Sequence, residues 1–190
     1  MKPPFEPDYP EATRRAMARW PDLPAVFGWL RLDRRARWFV RDGEVRHPGA
    51  LAFLNANYGA DEAGRWFVQN GPQRAFVALD LAPWVLQLAA DGSLATHTGR
   101  RVEVPTRLVT TDAGNLCLEF ELGLGSVLDR DLTAFLALLA PGNPNQRLEA
   151  LLLGETDGEV RFGESTLAVT CVAEAQLPWR FRFVSDPTEA

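Results

Sequence analysis

The strongest constraint on the fold is an ordered set of features that occurs twice along the chain. The stretch GRWFVQNGPQRAFVALDLAPWV occupies residues 64–85, and GEVRFGESTLAVTCVAEAQLPWRF occupies residues 158–181. Each stretch opens with glycine, alternates apolar and polar residues, passes a turn and closes around Pro-Trp. The tripeptide Ala-Phe-Leu also recurs, at residues 52–54 and 134–136. This order predicts a duplicated unit.

The spacing between matching positions grows along the chain. It is 82 residues at Ala-Phe-Leu, 94 at the glycines and 95 at Pro-Trp. The growth predicts an insertion in the second copy, around residues 140–157. If the two copies are equivalent, Trp84 and Trp179 open matching strands, and both rings are predicted to be buried. Substitution of either tryptophan by alanine should then lower the free energy of unfolding by about 3–5 kcal/mol.

Alternation of apolar and polar residues predicts strands in both halves, interrupted by one helix in each. The first helix follows Pro48, and the second follows Gly125 with Ser126 or Asp129 as its N-cap. Asn70-Gly71, between two alternating runs, predicts a tight hairpin. The runs RLEALLLGE and WRFRFV are also predicted as strands, and ELGLGSVL as a turn before a helix.

These patterns predict an α+β fold with mostly antiparallel strands in two tandem, pseudo-repeated units. Residues 1–26 form an N-terminal extension with a short helix, EATRRAMARW, which Pro21 and Pro24 end. The first α+β unit spans residues 27–106, and the second spans residues 107–190.

Composition excludes several classes of protein. With 46% hydrophobic and 24% charged residues, the chain is typical of globular proteins. No apolar run reaches the roughly 18 residues that a membrane-spanning helix needs, and MKPPFEPDYP lacks the apolar core of a secretory signal. Cys117 and Cys171 are too few for a disulfide scaffold. A cytoplasmic location and no membrane association are therefore expected.

The two halves carry opposite charge. Residues 1–107 contain 15 Lys+Arg and 12 Asp+Glu, whereas residues 108–190 contain 5 and 13. A basic half can attract an anionic ligand, or it can attract the acidic half. The excess is far too small for DNA binding, so no DNA partner is expected.

Known catalytic motifs are missing from the sequence. Leu128 replaces the third glycine of a G-x-G-x-x-G loop, and the residues around Ser165 lack the second glycine of G-x-S-x-G. His47 and His97 are the only histidines, too few for a conventional zinc site. We therefore expect no catalytic residues, no metal and no cofactor, although an enzyme of unrecognised class stays open.

One cluster is chemically suited to binding an anion. Gln73 and Arg74 lie at the hairpin turn near Trp66, where an amide, a guanidinium and an aromatic ring can converge. Arg46 precedes the start of a helix, which favours anions. Ligand-binding residues are therefore predicted to be Arg46, Trp66, Gln73 and Arg74. The alternative is structural, with Asn-Gly required by the turn, Trp66 in the core and the arginines solvated or paired with the acidic half.

Residues 27–90 resemble uncharacterised proteobacterial families of unknown function. The resemblance comprises a D-x-x-G-x-W hairpin, a step into a helix, D-E-x-G-R-W/Y and A-P-W/F-V. The matching residues are Asp33, Trp38, Arg46, Asp61, Glu62, Gly64, Arg65, Trp66, Ala82, Pro83, Trp84 and Val85, with Ala36 where glycine is usual. The resemblance implies two similar domains in tandem, the C-terminal one loosely like a pleckstrin-homology fold. It also implies a ligand groove between them, for a nucleotide-like molecule and a signalling role.

Together these features favour a non-catalytic bacterial binding protein that holds a small anionic, nucleotide-like ligand between its units. The alternative is a protein–protein interaction module with an unspecified partner. An enzyme of unrecognised class is the third hypothesis.

Overall fold

The structure is a computed structural model that describes residue 9, residues 11–19 and residues 25–189. The chain forms two compact units, Met1–Leu81 with Arg182–Ala190, and Ala82–Phe181. The predicted boundary between residues 106 and 107 falls inside the second of these units, because strands on both sides of it join one sheet.

The first unit is built around a six-stranded sheet among its described residues. Its elements are α1 (Glu11–Arg19), β1 (Val26–Leu32), β2 (Trp38–Val40), β3 (Gly43–Glu44), α2 (Pro48–Ala56), β4 (Tyr58–Ala60), β5 (Trp66–Asn70) and β6 (Gln73–Leu79). The strand order is β3-β2-β1-β6-β5-β4, and only β1 and β6 run parallel within this described sheet. The N-terminal helix is present as predicted, whereas residues 1–8, Pro21 and Pro24 lie outside the described residues.

The two faces of this sheet differ in chemistry because neighbouring residues of a strand point to opposite sides. On one face the rings of Trp38, Tyr58 and Trp66 form a chain of contacts, with centroids 5.4 Å and 4.8 Å apart. Trp38 also donates a 2.8 Å hydrogen bond to the Asn55 side chain of α2. The other face carries Phe67 and Phe76, against which Tyr9, Met17 and Phe27 pack.

The second unit is built around an eight-stranded sheet. Its elements are β7 (Trp84–Leu88), β8 (Leu94–Thr96), β9 (Arg107–Thr111), β10 (Leu116–Phe120), β11 (Gly123–Val127), α3 (Leu132–Ala137), β12 (Leu139–Pro141), α4 (Leu148–Leu152), β13 (Glu159–Phe162), β14 (Ser165–Val172) and α5 (Leu177–Arg180). The strand order is β12-β13-β14-β9-β10-β11-β7-β8. The pairs β14–β9 and β11–β7 are parallel, and the other pairs of this sheet are antiparallel. The predicted α+β class with mostly antiparallel strands is confirmed.

Six strands of the second sheet follow the same topology as the first sheet. The spatial order β11-β10-β9-β14-β13-β12 matches β3-β2-β1-β6-β5-β4, and in both sheets the two middle strands are parallel. Along the chain, α2 connects β3 to β4, and α3 likewise lies between β11 and β12. Helix α4 lies in the segment where an insertion is predicted. The duplication of the sequence itself stays a prediction.

Several predicted elements are wrong, and the tryptophans are the clearest case. Trp84 opens β7 and is fully buried, but Trp179 lies in α5 with 81% of its surface exposed. Pro178 belongs to the first turn of this helix, where its missing N–H costs nothing. The two tryptophans are therefore not equivalent.

Two further segments also differ from the prediction. The run around residues 147–155 contains helix α4, because Leu148, Leu151 and Leu152 repeat with helical spacing and a short apolar run does not by itself distinguish strand from helix. The predicted turn at ELGLGSVL is β11, which includes Ser126. Asp129 lies in a short 3₁₀ helix before α3, and neither residue caps that helix.

One five-residue turn recurs at several hairpins. The backbone N–H of its first residue donates a hydrogen bond to the carbonyl of the fifth residue. The carbonyl of the first residue accepts one from the N–H of the fourth. The described chain forms it at residues 33–37, 61–65, 89–93, 96–100 and 111–115. The fourth residue has a positive φ at each of these turns, and it is glycine at all of them except Ala36, whose φ is 61°.

Ala36→Gly should raise the free energy of unfolding by about 0.5–1 kcal/mol. A residue with a Cβ atom costs about 1–2 kcal/mol in this left-handed conformation, and glycine removes that cost. Glycine also makes the unfolded chain more flexible, which lowers the gain in stability by about 0.4–1 kcal/mol. The measurement is urea unfolding followed by tryptophan fluorescence. Ala52→Gly, on an exposed position of α2, is the control and should lower stability by about 1 kcal/mol. A loss of stability in both variants would contradict the argument.

Candidate functional site

A concave pocket opens on the first unit, beside the face that carries Phe67. Its volume is about 440 Å³. The lining residues are Tyr9, Ala60, Asp61, Glu62, Ala63, Arg65, Phe67 and Arg74. Two guanidinium groups and two aromatic side chains therefore border the same space.

The turn at residues 61–65 holds Arg65 in place. One carboxylate oxygen of Asp61 accepts hydrogen bonds from the backbone N–H groups of Ala63 and Arg65, at 3.1 Å and 2.9 Å. The other oxygen accepts from Nε and Nη2 of Arg65, at 2.8 Å and 2.7 Å. The Arg65 guanidinium also lies 4.7 Å from the ring centroid of Phe76. The Asp61 carboxylate is thus engaged by the turn, and Arg65 is held by two kinds of contact.

The hairpin at the other side of β5 holds Arg74. The Gln69 side chain donates a 2.9 Å hydrogen bond to the carbonyl of Gly71, and its oxygen accepts one of 3.2 Å from Nε of Arg74. The guanidinium lies 4.4 Å from the ring centroid of Phe67. Among the described residues, Arg74 forms no ion pair. Its Nη groups therefore keep their capacity for an outside acceptor.

The hairpin turn that fixes this arrangement has Gly71 and Pro72 as its central residues, since Asn70 pairs with Gln73. Gly71 has a φ of 57°, and the proline ring fixes a negative φ at the next position. This combination is typical of a type II′ turn, whereas type I′ needs a positive φ at both positions. The predicted tight hairpin is therefore present, with a turn of the II′ kind.

The pocket lies on the face of the first sheet where arginine side chains stack over aromatic rings. The pairs in the described first unit are Arg31–Phe39, Arg37–Phe39, Arg41–Trp29, Arg65–Phe76 and Arg74–Phe67, with the guanidinium carbon 4.0–5.5 Å from the ring centroid. The strand register places Arg31 next to Phe39 and Ala78, and Ala78 shares its face with Phe76 and Arg74. Such pairs occur about once per 70–80 residues in proteins, so this face is unusually rich in ordered cations.

The structure separates the predicted site residues. Arg46 lies before α2 with its side chain 81% exposed and paired to Glu44 at 2.9 Å, and this carboxylate raises the pKa of Arg46. Trp66 is buried on the opposite face of the sheet. Gln73 opens β6 and does not line the pocket. Arg74 is the predicted residue that the pocket contains.

Sequence reasoning missed Arg65 and Phe67, although a signal for both was present. A two-residue turn sets Gln69 opposite Arg74 and Phe67 opposite Phe76. Alternation then puts Arg65, Phe67 and Arg74 on one face and Trp66 on the other. The turn length and the period of two, applied together, predict the pair Phe67–Arg74 that the structure shows.

The side chains of this pocket include donors suited to an anion. Guanidinium forks recognise carboxylate and phosphate groups through paired hydrogen bonds. No cluster of three or more His, Cys, Asp or Glu side chains suited to a metal occurs in the part of the chain that the structure describes. His97 is buried in the second unit, where its Nδ1 accepts a 3.3 Å hydrogen bond from the Val85 N–H and burial lowers its pKa to about 3.

The fold and the pocket define an α+β protein of two compact units, the first of which carries an arginine-lined pocket. No helix in the described residues is long and apolar enough to span a membrane. The chain belongs to the family described as "Protein of unknown function (DUF2946)", whose model matches residues 10–188. The expected membership of a family of unknown function is confirmed.

Two solved structures are similar to the chain. A DUF1285 family protein from Silicibacter pomeroyi DSS-3 is 15% identical, with a TM-score of 0.54 over 82% of this chain and 87% of that one. A DUF1285 family protein from Shewanella baltica OS155 is also 15% identical, with a TM-score of 0.43 over 58% of this chain and 91% of that one. The first of these likenesses concerns the fold alone. No curated protein matches the chain.

Proposed function

We propose that the protein is a non-catalytic binding protein for a small anionic ligand, which occupies the pocket between Arg65 and Arg74. The observation that carries this proposal is the Arg74 guanidinium, fixed over the Phe67 ring and by Gln69, with no ion pair among the described residues. A phosphate or carboxylate supplies the acceptor oxygens that this group can bind. A nucleotide-like ligand and a signalling role are the finer parts of the same proposal.

The affinity of the pocket for an anion depends on the order of its arginines as well as on their charge. Fixing a long side chain on binding costs roughly 0.5–1.5 kcal/mol. Contacts with Phe67 and Gln69 already fix Arg74 in the folded protein, and Asp61 fixes Arg65. Most of this entropic cost is therefore incurred when the protein folds and not when the ligand binds. Hydrogen bonds to charged groups contribute about 1.5–3 kcal/mol each, which is enough for two or three of them to hold a small anion.

Arg74→Ala should strongly reduce the stabilisation that a bound anion gives. The experiment compares melting temperatures with inorganic phosphate, AMP, ATP and sugar phosphates, followed by titration calorimetry with the best compound. Loss of one charged hydrogen bond predicts an affinity about tenfold to a hundredfold lower. The free variant should lose about 1–3 kcal/mol of stability, through the contact with Phe67 and the hydrogen bond to the buried Gln69 side chain.

Arg46→Ala is the matched control, because it removes the same charge from the same unit at an exposed position outside the pocket. It should bind as the wild type does. Equal losses of affinity in the two variants would indicate a general charge effect and would contradict a site at Arg74. If no phosphate compound stabilises the wild-type protein, the ligand proposal fails.

A protein–protein interaction module is the alternative, and exposed aromatic side chains favour it. Trp179 and Trp29 are both exposed large apolar residues. Under this alternative, anions have no effect on the melting temperature, and substitution of Trp179 abolishes binding to the partner while the fold stays intact.

A further inference from the structure

A second pocket lies wholly within the second unit and has a different chemistry. Its volume is about 380 Å³, within the range of roughly 300–1,000 Å³ that small-molecule sites occupy. One row across the sheet contributes Cys171 of β14, Thr110 of β9 and Leu116 of β10, which the strand register places side by side. Leucines of α3 and α4 line it as well, including Leu136 and Leu152.

Thr110 is the unusual member of this row. It is only 3% exposed, and no described residue forms a hydrogen bond with its hydroxyl. A buried polar group without a partner costs about 1–3 kcal/mol, so a native protein normally supplies one. Thr110 borders the pocket, and rotation about χ1 to another staggered rotamer moves its hydroxyl to the place that the methyl group or the hydrogen atom now holds.

We propose that this pocket binds a small apolar molecule that carries one hydroxyl or carbonyl group, and that the polar group pairs with the hydroxyl of Thr110. The leucine side chains supply the apolar surface, and Thr110 supplies the hydroxyl that fixes orientation. Thr111, Asp112 and Asn115 also line the pocket, but their side chains already form hydrogen bonds within the protein. This combination of mostly apolar walls with few polar groups is typical of small-molecule sites. The proposal is independent of the anion site, which belongs to the first unit.

The chain contains its own reporter for the test. Cys171 is exposed and lines the pocket, whereas Cys117 is buried. An occupant of the pocket should therefore slow alkylation of Cys171 by iodoacetamide, with the modified site identified by mass spectrometry. Benzyl alcohol and toluene serve as probes, because they have nearly the same shape and differ by one hydroxyl group.

Both probes should protect Cys171 in the wild-type protein. In Thr110→Val, which keeps the shape of the side chain, the benzyl alcohol concentration needed for half protection should rise about tenfold, because the bound hydroxyl then has no partner. The toluene concentration should stay the same or fall. Thr110→Ser should restore the preference for benzyl alcohol, and Leu136→Trp, which fills the pocket, should remove protection by both probes.

Either of two results would overturn the proposal. One is that neither probe slows alkylation of Cys171 in the wild-type protein. The other is that Thr110→Val changes the protection by benzyl alcohol and toluene by the same factor. Circular dichroism of each variant establishes that it is folded, and Thr110→Val is expected to melt at a slightly higher temperature than the wild type, since it removes an unpaired buried hydroxyl.

Discussion

Trp84→Ala should lower the free energy of unfolding by about 3–5 kcal/mol, the usual range for a fully buried tryptophan. The side chain is fully buried at the start of β7, and its Nε1 donates a 2.9 Å hydrogen bond to the carbonyl of Leu122. Its ring also lies 5.7 Å from that of His97. The variant therefore opens a large cavity and leaves a carbonyl without its donor. Urea unfolding monitored by far-ultraviolet circular dichroism measures the loss.

Trp179→Ala is the matched control, because it removes the same side chain from the second Pro-Trp pair. Since 81% of Trp179 is exposed, its loss should change stability by less than about 0.5 kcal/mol. Similar urea midpoints for the two variants would contradict the assignment of Trp84 to the core. The sequence alone predicts equal effects, so this comparison also tests the difference between the two copies.

Gly64→Ala should be the second most damaging of these changes, at about 2–5 kcal/mol. Gly64 has a φ of 77°, and a Cβ atom there would overlap the carbonyl oxygen of Arg182. The conformation costs an alanine about 1–2 kcal/mol, and the backbone overlap adds about 1–3 kcal/mol. The overlap should push away the C-terminal segment, where the Val184 N–H donates to the Gly64 carbonyl at 2.9 Å.

Two measurements separate these contributions. Urea unfolding gives the total loss of stability, and the rate of tryptic cleavage after Arg182 reports release of the C-terminal segment. Gly114→Ala is the control, because Gly114 occupies the same position of the same turn with a φ of 79°, but nothing lies within 4 Å of an added Cβ atom. It should cost about 1 kcal/mol and leave cleavage unchanged. Faster cleavage in the control variant would contradict the proposed overlap.

The alternation of residues and the turn signals determined most of the architecture. The alternation of apolar and polar residues predicted the hairpins. The two Ala-Phe-Leu segments lie in α2 and α3, which connect corresponding strands of the two sheets. These features are local, because the side-chain period and the turn residues act within a few positions of the chain. For the same reason Arg74 was identifiable, since it follows directly from the hairpin that Gly71 turns.

Tertiary contacts decide whether each Pro-Trp segment forms a strand or a helix. The segment after Pro83 alternates and forms β7, because it pairs with β11 on one side and with β8 on the other. The segment after Pro178 also alternates, yet residues 177–180 form α5 and the chain from Arg182 belongs to the first unit. A strand needs a neighbour with free backbone groups, and no pattern within the segment tells whether that neighbour exists.

The candidate sites show the same division. The residue pattern alone predicts that an arginine follows the Asn70-Gly71 hairpin and that aromatic residues lie near it. The pairing of β5 with β6 decided that Phe67 rather than Trp66 meets Arg74. The unpaired hydroxyl of Thr110 and the leucines around it come from elements far apart in the chain, β9, α3 and α4. The burial of a side chain and its hydrogen-bond partners depend on such distant residues. The sequence therefore specifies the chemical groups, whereas their surroundings follow from the tertiary structure.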